Sequence, residues 1–160
     1  MMEMIGQMIA AGAGSCGFSL LFHIRKPSRI AICSVAGAVV WGFYLLSMHT
    51  GWGDLFANFV AAFAGTVLSE VLARLLKSPA TAFIAPAVIP LIPGGSLFYS
   101  MEAFVQGDKV LGGERLMHTA AIAGVIAVGI YIASSIFRYL SPWMKRRAEQ
   151  KAALRASQEN

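Results

Sequence analysis

The sequence predicts an all-α membrane protein, a bundle of five transmembrane helices whose fourth helix is broken. Only 13% of the 160 residues are charged and 57% are hydrophobic, whereas a soluble domain carries about 25% charged residues. The charges are also clustered, which leaves long stretches without Asp, Glu, Lys or Arg. One of these stretches contains a group of prolines and glycines, and this group predicts the break.

Five apolar stretches account for the five predicted helices. Four of them lack charge and are 19 to 24 residues long: 4–22, 30–53, 78–101 and 116–137. The fifth, 55–69, must extend through 70–76 to cross a bilayer core, which takes about 20 apolar residues. We therefore expect a transmembrane domain over residues 1–142 and a basic cytoplasmic tail over residues 143–160.

Lys and Arg are distributed very unevenly between the two sides of this bundle. One side holds eleven of them: Arg25, Lys26, Arg29, Arg74, Lys77, Arg138, Lys145, Arg146, Arg147, Lys151 and Arg155. The other side holds Lys109 and Arg115. By the positive-inside rule, the amino terminus should lie outside and the carboxyl terminus in the cytoplasm. This role accounts for the net charge of +5, so no nucleic-acid partner is expected.

The same asymmetry predicts a protein partner. Many transporters consist of two similar halves of inverted topology, and a five-helix chain has the form of one half. A distribution of eleven against two favours a single orientation, so an inverted half should be a different polypeptide. We expect a second five-helix membrane chain beside this one in the lipid bilayer. The sequence does not decide whether the two chains assemble further into a higher oligomer.

The break in the fourth helix is predicted by a short run of residues. Pro90 and Pro93 each remove a backbone hydrogen bond, and Pro93 pushes the residue before it away from helical geometry. Gly94 and Gly95 permit backbone conformations that other residues avoid. Ser96 is a good N-cap for a second helical segment. The prediction is a helix, an unwound stretch and then a half-helix.

Such a break suits a binding site for a carboxylate. Unwound backbone is tolerated at membrane depth where it is buried in protein or lines a water-filled cavity. A half-helix that starts there directs its positive end and free amides into the cavity. We predict that residues 90 and 93–96 bind a small carboxylate substrate, together with Tyr99 and with Trp41 of the second helix. A structural kink, with Trp41 serving only in packing, is the alternative.

Three segments resemble those of one transporter family: AGAVVWGFYLL (36–46), FAGTVLSEVLARLLKSPAT (63–81) and ATAFIAPAVIPLIPGGSLFYSMEAFVQGD (80–108). The chain is similar to the threonine/serine exporter family, in particular to the small membrane-only subunit of its split, two-chain form. The resemblance implies proton-driven export of threonine and serine across the bacterial cytoplasmic (inner) membrane, together with a second chain. Some split systems are thought to handle small dicarboxylates such as succinate, and the broken helix does not decide between these substrates.

Three ionisable residues are candidates for proton coupling, because an ionisable group within a membrane segment is a functional hypothesis by default. Glu70 lies in the third helix, but Arg74 follows at i+4, the spacing of a simple ion pair. Glu102 lies towards the outer end of the half-helix, where it either carries protons or reaches the interface. His118 opens the fifth helix, and histidine is the common proton carrier among side chains, although an interfacial histidine is the simpler interpretation.

Two other classes of function were considered. A membrane-embedded enzyme would need a nucleophile–base pair or a cluster of metal ligands, and the sequence shows neither, so no enzymatic activity, metal or cofactor is expected. A non-transporting subunit that only stabilises a partner would be equally apolar. The broken helix argues against it, because a scaffold does not need one.

Overall fold

The computed structural model describes the backbone of residues 2–22, 24 and 26–158, and the side chains among these up to residue 139. All regular secondary structure in this part of the chain is helical. The helices are α1 (Met2–Leu21), α2 (Pro27–His49), α3 (Asp54–Leu75), α4 (Thr81–Val88), α5 (Gly94–Val105) and α6 (Lys109–Gln158), with a 3-10 turn over Ile89–Leu91. The predicted all-α class is confirmed.

Four of these helices are long and apolar enough to span a membrane: α1, α2, α3 and the Lys109–Tyr139 part of α6. The fourth predicted span consists of two pieces, Thr81–Leu91 and Gly94–Val105, which meet at an angle of 48°. Counted as one broken span, this pair brings the total to the five that the sequence predicts. The chain is a multi-pass helical membrane protein.

The break lies where the proline and glycine pattern places it. Ile92 is extended, with φ −63° and ψ 122°, as expected for a residue that precedes proline. Two details of the prediction are wrong. The second segment begins at Gly94 with Pro93 in the N-cap position, so Ser96 lies in its first turn and is not the cap. Neither Gly94 nor Gly95 has a positive φ, so the change of direction comes from Ile92 and Pro93.

The core lies where α2, α3 and α4 meet, and it consists mainly of small residues. Ala36, Ala61 and Ala87 are at most 2% exposed. Small side chains let helix backbones approach closely, which is how helices associate in membranes. Around this centre, α1 packs on α2, α6 packs on α3, and α5 packs chiefly on α6. Most of the surface of α5 is therefore open in the single chain.

The last helix differs from the prediction at both ends. A helix was expected over 116–137, whereas α6 begins at Lys109 and continues to Gln158. Gly107, with φ +87°, ends the connection from α5, and Asp108 Oδ1 accepts a hydrogen bond from the Leu111 amide at 3.0 Å. No backbone break marks residue 142, so the domain boundary there stays a prediction. Arg25 and the basic side chains of the tail lie outside the described side chains, and the orientation also stays a prediction.

Candidate functional site

A cavity of about 510 Å³ lies between α5 and α6. Its lining residues are Ser96, Tyr99, Glu114, Arg115 and His118. α5 begins at Gly94, directly after the helix break, so Ser96 places the cavity beside that break. On α6, the lining residue His118 lies at the level of Asp54, the first residue of α3.

The position of α5 is fixed on α6 by a close contact between the middle of α5 and the first turn of α6. Ser100 is fully buried, and its hydroxyl donates to the Gly112 carbonyl at 2.9 Å. A Cβ atom at Gly112 would come within 2.9 Å of the Phe104 ring, so only glycine fits without displacing that ring. These contacts place Ser96 and Tyr99 opposite the charged residues of α6.

The first turn of α5 offers two backbone donors beside this cavity. The Gly94 amide donates to the Ile92 carbonyl at 2.7 Å, and the Leu97 amide donates to the Pro93 carbonyl at 3.1 Å. Among the described residues, no acceptor is recorded for the amides of Gly95 and Ser96. Free first-turn amides and the positive end of a helix attract an anionic group.

Glu114 and Arg115 give the cavity one acidic and one basic side chain. Arg115 Nη1 donates to the Tyr99 carbonyl oxygen at 3.2 Å, which holds the guanidinium against α5. A guanidinium can donate two parallel hydrogen bonds to a carboxylate, and a carboxylate attracts an ammonium group. The lining therefore offers complementary charges for a small molecule that carries both groups.

The predicted substrate residues are brought together only in part. Ser96 and Tyr99 line the α5–α6 cavity, whereas Trp41 and Pro90 line a separate cavity of about 300 Å³ beside α1. Trp41 Nε1 donates to Gln7 Oε1 at 3.2 Å and its ring lies 4.9 Å from that of Tyr44.

The remaining three predicted substrate residues lie at the break itself. Pro93, Gly94 and Gly95 are not among the residues that line either cavity. Both glycines are exposed, and a Cβ atom at either would meet nothing within 4 Å. Substrate binding by any of the seven predicted residues stays a prediction.

The three predicted proton-coupling residues lie in three different surroundings. Glu70 and Arg74 form the ion pair that their spacing predicts, with Oε2 and Nη2 separated by 3.9 Å. Glu102 is exposed and accepts a hydrogen bond from Gln106 at 3.3 Å. Only His118 lines the cavity. The geometry thus favours His118 among the three, and their roles stay predictions.

Arg74 also connects α3 to the far end of the last span. Its Nη2 donates to the Phe137 carbonyl at 3.0 Å, and its guanidinium carbon lies 4.9 Å from the centre of the Phe137 ring. These contacts indicate a structural role for the pair of Glu70 and Arg74, since they join two helices at the predicted cytoplasmic end.

We expect Arg74→Ala to destabilise the protein and Glu70→Gln to leave it nearly unchanged. Arg74 loses a charge-assisted hydrogen bond and a cation–π contact, together about 2 kcal/mol. Glu70 loses only a partly exposed ion pair worth about 0.5 kcal/mol. Thermal unfolding of the purified variants in detergent checks the order. A larger loss for Glu70→Gln would show that the carboxylate, and not the guanidinium, holds this end together.

Several polar residues of this region are absent from the prediction. They are Asp54, Glu114 and Arg115, which flank the charge-free stretches 55–69 and 116–137. The i, i+4 spacing of Glu114 and His118, which places both on one helix face, was the signal that could have revealed the cavity. Among the described residues, no three His, Cys, Asp or Glu side chains could hold a metal ion.

A helical membrane bundle with a broken span and a charged cavity beside it has the architecture of a membrane transporter. The chain matches the family model described as "Threonine/Serine exporter, ThrE" over residues 7–136. It belongs to this family of transporters. Membership in a transporter family favours a function in transport over an enzymatic one.

One curated relative comes from Haemophilus influenzae (strain ATCC 51907 / DSM 11121 / KW20 / Rd) and bears only the name "Uncharacterized protein". It is 27% identical over 154 residues, an alignment that covers 89% of this chain and 50% of the relative. The chain thus spans about half the length of that relative. No solved structure matches the chain.

Proposed function

We propose that this chain is one half of a proton-coupled exporter for threonine and serine, and that the α5–α6 cavity holds the substrate. The observation that carries the proposal is that Arg115 and Glu114 both line one cavity of about 510 Å³. Arg115 and the free amides of the α5 first turn bind the substrate carboxylate, and Glu114 binds its ammonium group. Ser96 and Tyr99 supply hydroxyl groups for the substrate side chain.

The same pair of charges distinguishes between the two substrate classes implied by the resemblance. A dicarboxylate such as succinate would place its second negative charge near Glu114, and like charges in a partly desolvated cavity repel each other. An amino acid instead presents one charge of each sign. The lining therefore favours a zwitterion. Export of succinate would contradict this preference, and the efflux experiment below measures it.

The open face of α5 supports a second half. Apart from Ser100 and Ala103, which are buried, α5 leaves most of its surface uncovered. Glu114, Arg115 and His118 are likewise exposed in the single chain, so a second chain that covers α5 would also cover these charged side chains. The chain aligns with about half of its relative, and the other half of that relative is long enough for a second unit of this size. We propose that a separate five-helix chain of inverted topology covers this face in the bacterial cytoplasmic membrane, with the amino terminus outside.

Efflux of labelled threonine, serine and succinate from cells that lack their own exporters tests the proposal. The chain is expressed alone, with its partner chain, and with the partner after Gly94→Leu. This variant should fold, because a Cβ atom at Gly94 meets nothing within 4 Å, yet it fills the space at the start of α5. Gly17→Leu is the matched control, since Gly17 is equally open but lies on α1, away from the cavity.

We expect efflux of threonine and serine only when both chains are present. Gly94→Leu should lower this efflux about tenfold or more, and Gly17→Leu should leave it unchanged. Co-purification of the two chains shows whether the complex still assembles. Efflux that persists in Gly94→Leu would exclude the start of α5 from the substrate site. Loss of efflux together with loss of assembly would favour a subunit that only stabilises its partner. Efflux of succinate without efflux of threonine or serine would show that the substrate is a dicarboxylate and not an amino acid.

A further inference from the structure

A single carboxylate joins three helices at the outer end of the bundle. Asp54, the first residue of α3, accepts a hydrogen bond from the Tyr44 hydroxyl of α2 at 3.0 Å. Its Oδ1 also accepts from Asn58 Nδ2 at 3.0 Å. Its other oxygen, Oδ2, lies 3.8 Å from His118 Nε2 of α6. Asp54 is thus held in place by two neutral donors, and its Oδ2 faces the imidazole of His118.

His118 therefore lies between this carboxylate and the α5–α6 cavity. The groups that face it are Asp54 of α3, Tyr99 of α5, and Glu114 and Arg115 of its own helix. Tyr44 of α2 reaches it only through Asp54. A protonated imidazole in this position is repelled by Arg115 and attracted by Glu114 and Asp54. The two carboxylates thus offset the two positive charges.

Resting on the proposed function, we propose that Asp54 and His118 form the proton-binding pair of the exporter. The imidazole takes up a proton from the outer water and forms an ion pair with Asp54, which ties α6 to α3. Loss of that proton removes the ion pair and changes the charge of the cavity by one unit. The substrate and α6 then respond to the same proton. The imidazole N–H bond forms as an O–H bond of hydronium breaks, and on release the proton returns to water.

The positions of the other two candidates support this assignment. Glu70 pairs with Arg74 at the end of α3 opposite to Asp54. Glu102 bonds to Gln106 within α5 and does not belong to the cavity lining. Among the three candidates, only His118 is in contact with both the cavity and a carboxylate from another helix.

The test uses the complex of this chain and its partner, reconstituted in lipid vesicles. Two fluxes of labelled threonine are compared: net flux driven by a pH gradient, and exchange against unlabelled threonine at equal pH on both sides. Exchange does not require proton release, so a proton-coupling group affects the two fluxes differently. The variants are Asp54→Asn, Asp54→Glu and His118→Gln. His49→Gln is the control, because His49 ends α2 on the same side and does not line the cavity.

We expect Asp54→Asn and His118→Gln to lower the ratio of net flux to exchange about tenfold or more, an ordinary size for coupling between two sites. The dependence of net flux on pH between about 5.5 and 7.5, where histidine titrates, should flatten in both. Asp54→Glu should restore part of the ratio, and His49→Gln should change neither flux.

Three results would contradict the proposal that Asp54 and His118 form the proton-binding pair. An unchanged ratio and pH profile in His118→Gln would exclude it as the proton site. Equal loss of both fluxes in Asp54→Asn, with a lower unfolding temperature and no rescue by Asp54→Glu, would make Asp54 a structural clamp. Absence of all threonine flux by the wild-type complex would overturn the proposed function, and the coupling role with it.

Discussion

Arg115→Gln is expected to reduce transport of every carboxylate substrate, whereas Glu114→Gln should separate amino acids from dicarboxylates. Arg115 is the basic lining residue next to the free amides of α5. A charge-assisted hydrogen bond contributes about 2 kcal/mol, so its loss should weaken apparent affinity roughly 30-fold. The variant also loses the bond to the Tyr99 carbonyl, which loosens α5 on α6 and adds to the effect.

Glu114→Gln acts in the opposite direction on the two substrate classes. The amide still fits the space, but it no longer attracts the ammonium group of threonine and no longer repels a second carboxylate. Apparent affinity for threonine should fall roughly tenfold, an effect of about 1.4 kcal/mol, while inhibition of threonine flux by succinate should increase. Concentration series of labelled threonine, with and without succinate, measure both effects.

Lys109→Gln and Glu3→Gln are the matched controls for these variants. They remove the same charges from the predicted outer side without touching the cavity, so they report any effect of the overall surface charge. Equal losses in Lys109→Gln and Arg115→Gln would show that attraction at the surface, and not binding in the cavity, determines the rate. Unchanged selectivity in Glu114→Gln would remove the argument for a zwitterion.

The fold could be predicted to a large extent because its main signals are local. Charge-free stretches of membrane length predict spans whatever their neighbours are. Pro93 restricts Ile92 through direct steric contact, and the structure shows Ile92 extended. What failed was the assignment of Ser96 as the cap. Gly94 and Gly95 take helical conformations once Pro93 has turned the chain, so the half-helix begins three residues earlier than a Ser96 cap would place it.

The start of α6 was mispredicted for a related reason. Lys109, Glu114 and Arg115 interrupt the apolar pattern, and a boundary drawn from charge marks where the hydrocarbon ends. The helix itself continues beyond that point: α6 begins at Lys109, and α5 packs on the added turns, where the Ser100 hydroxyl donates to the Gly112 carbonyl. Asp108 caps the start of α6, because its side chain accepts a hydrogen bond from the Leu111 amide.

The candidate site could be predicted only in part, because its contacts join helices that are distant in the sequence. Asp54 and His118 come together through the packing of α3 on α6, and no local pattern indicates that pairing. Trp41 and Tyr99 were grouped by residue type, yet the packing places them in different cavities. A proline–glycine break predicts that a chain changes direction, but not which helix it then meets.

Gly37→Leu is expected to separate α1 from the rest of the bundle. A Cβ atom at Gly37 of α2 would overlap the Cβ and Oγ atoms of Ser15, which is fully buried in α1. One turn earlier, the Ser34 hydroxyl donates to the Gly12 carbonyl at 2.8 Å, so the two backbones approach too closely for α1 to shift sideways. Since α1 packs mainly on α2, the variant should not yield a stable folded protein.

The smaller change Gly37→Ala makes this effect measurable against Gly124→Ala. Replacing a helical glycine with alanine favours the helix by about 1 kcal/mol, and a Cβ atom at Gly124 meets nothing within 4 Å. Overpacking at Gly37 costs about 1–3 kcal/mol, so the two substitutions should differ in sign. Cys33 is fully buried, so its reaction with a thiol dye on heating in detergent reports unfolding, provided that the partly exposed Cys16 is first replaced by serine in every variant. Equal unfolding temperatures would mean that α1 and α2 lie further apart than described, because the two alanines differ only in what their methyl groups meet.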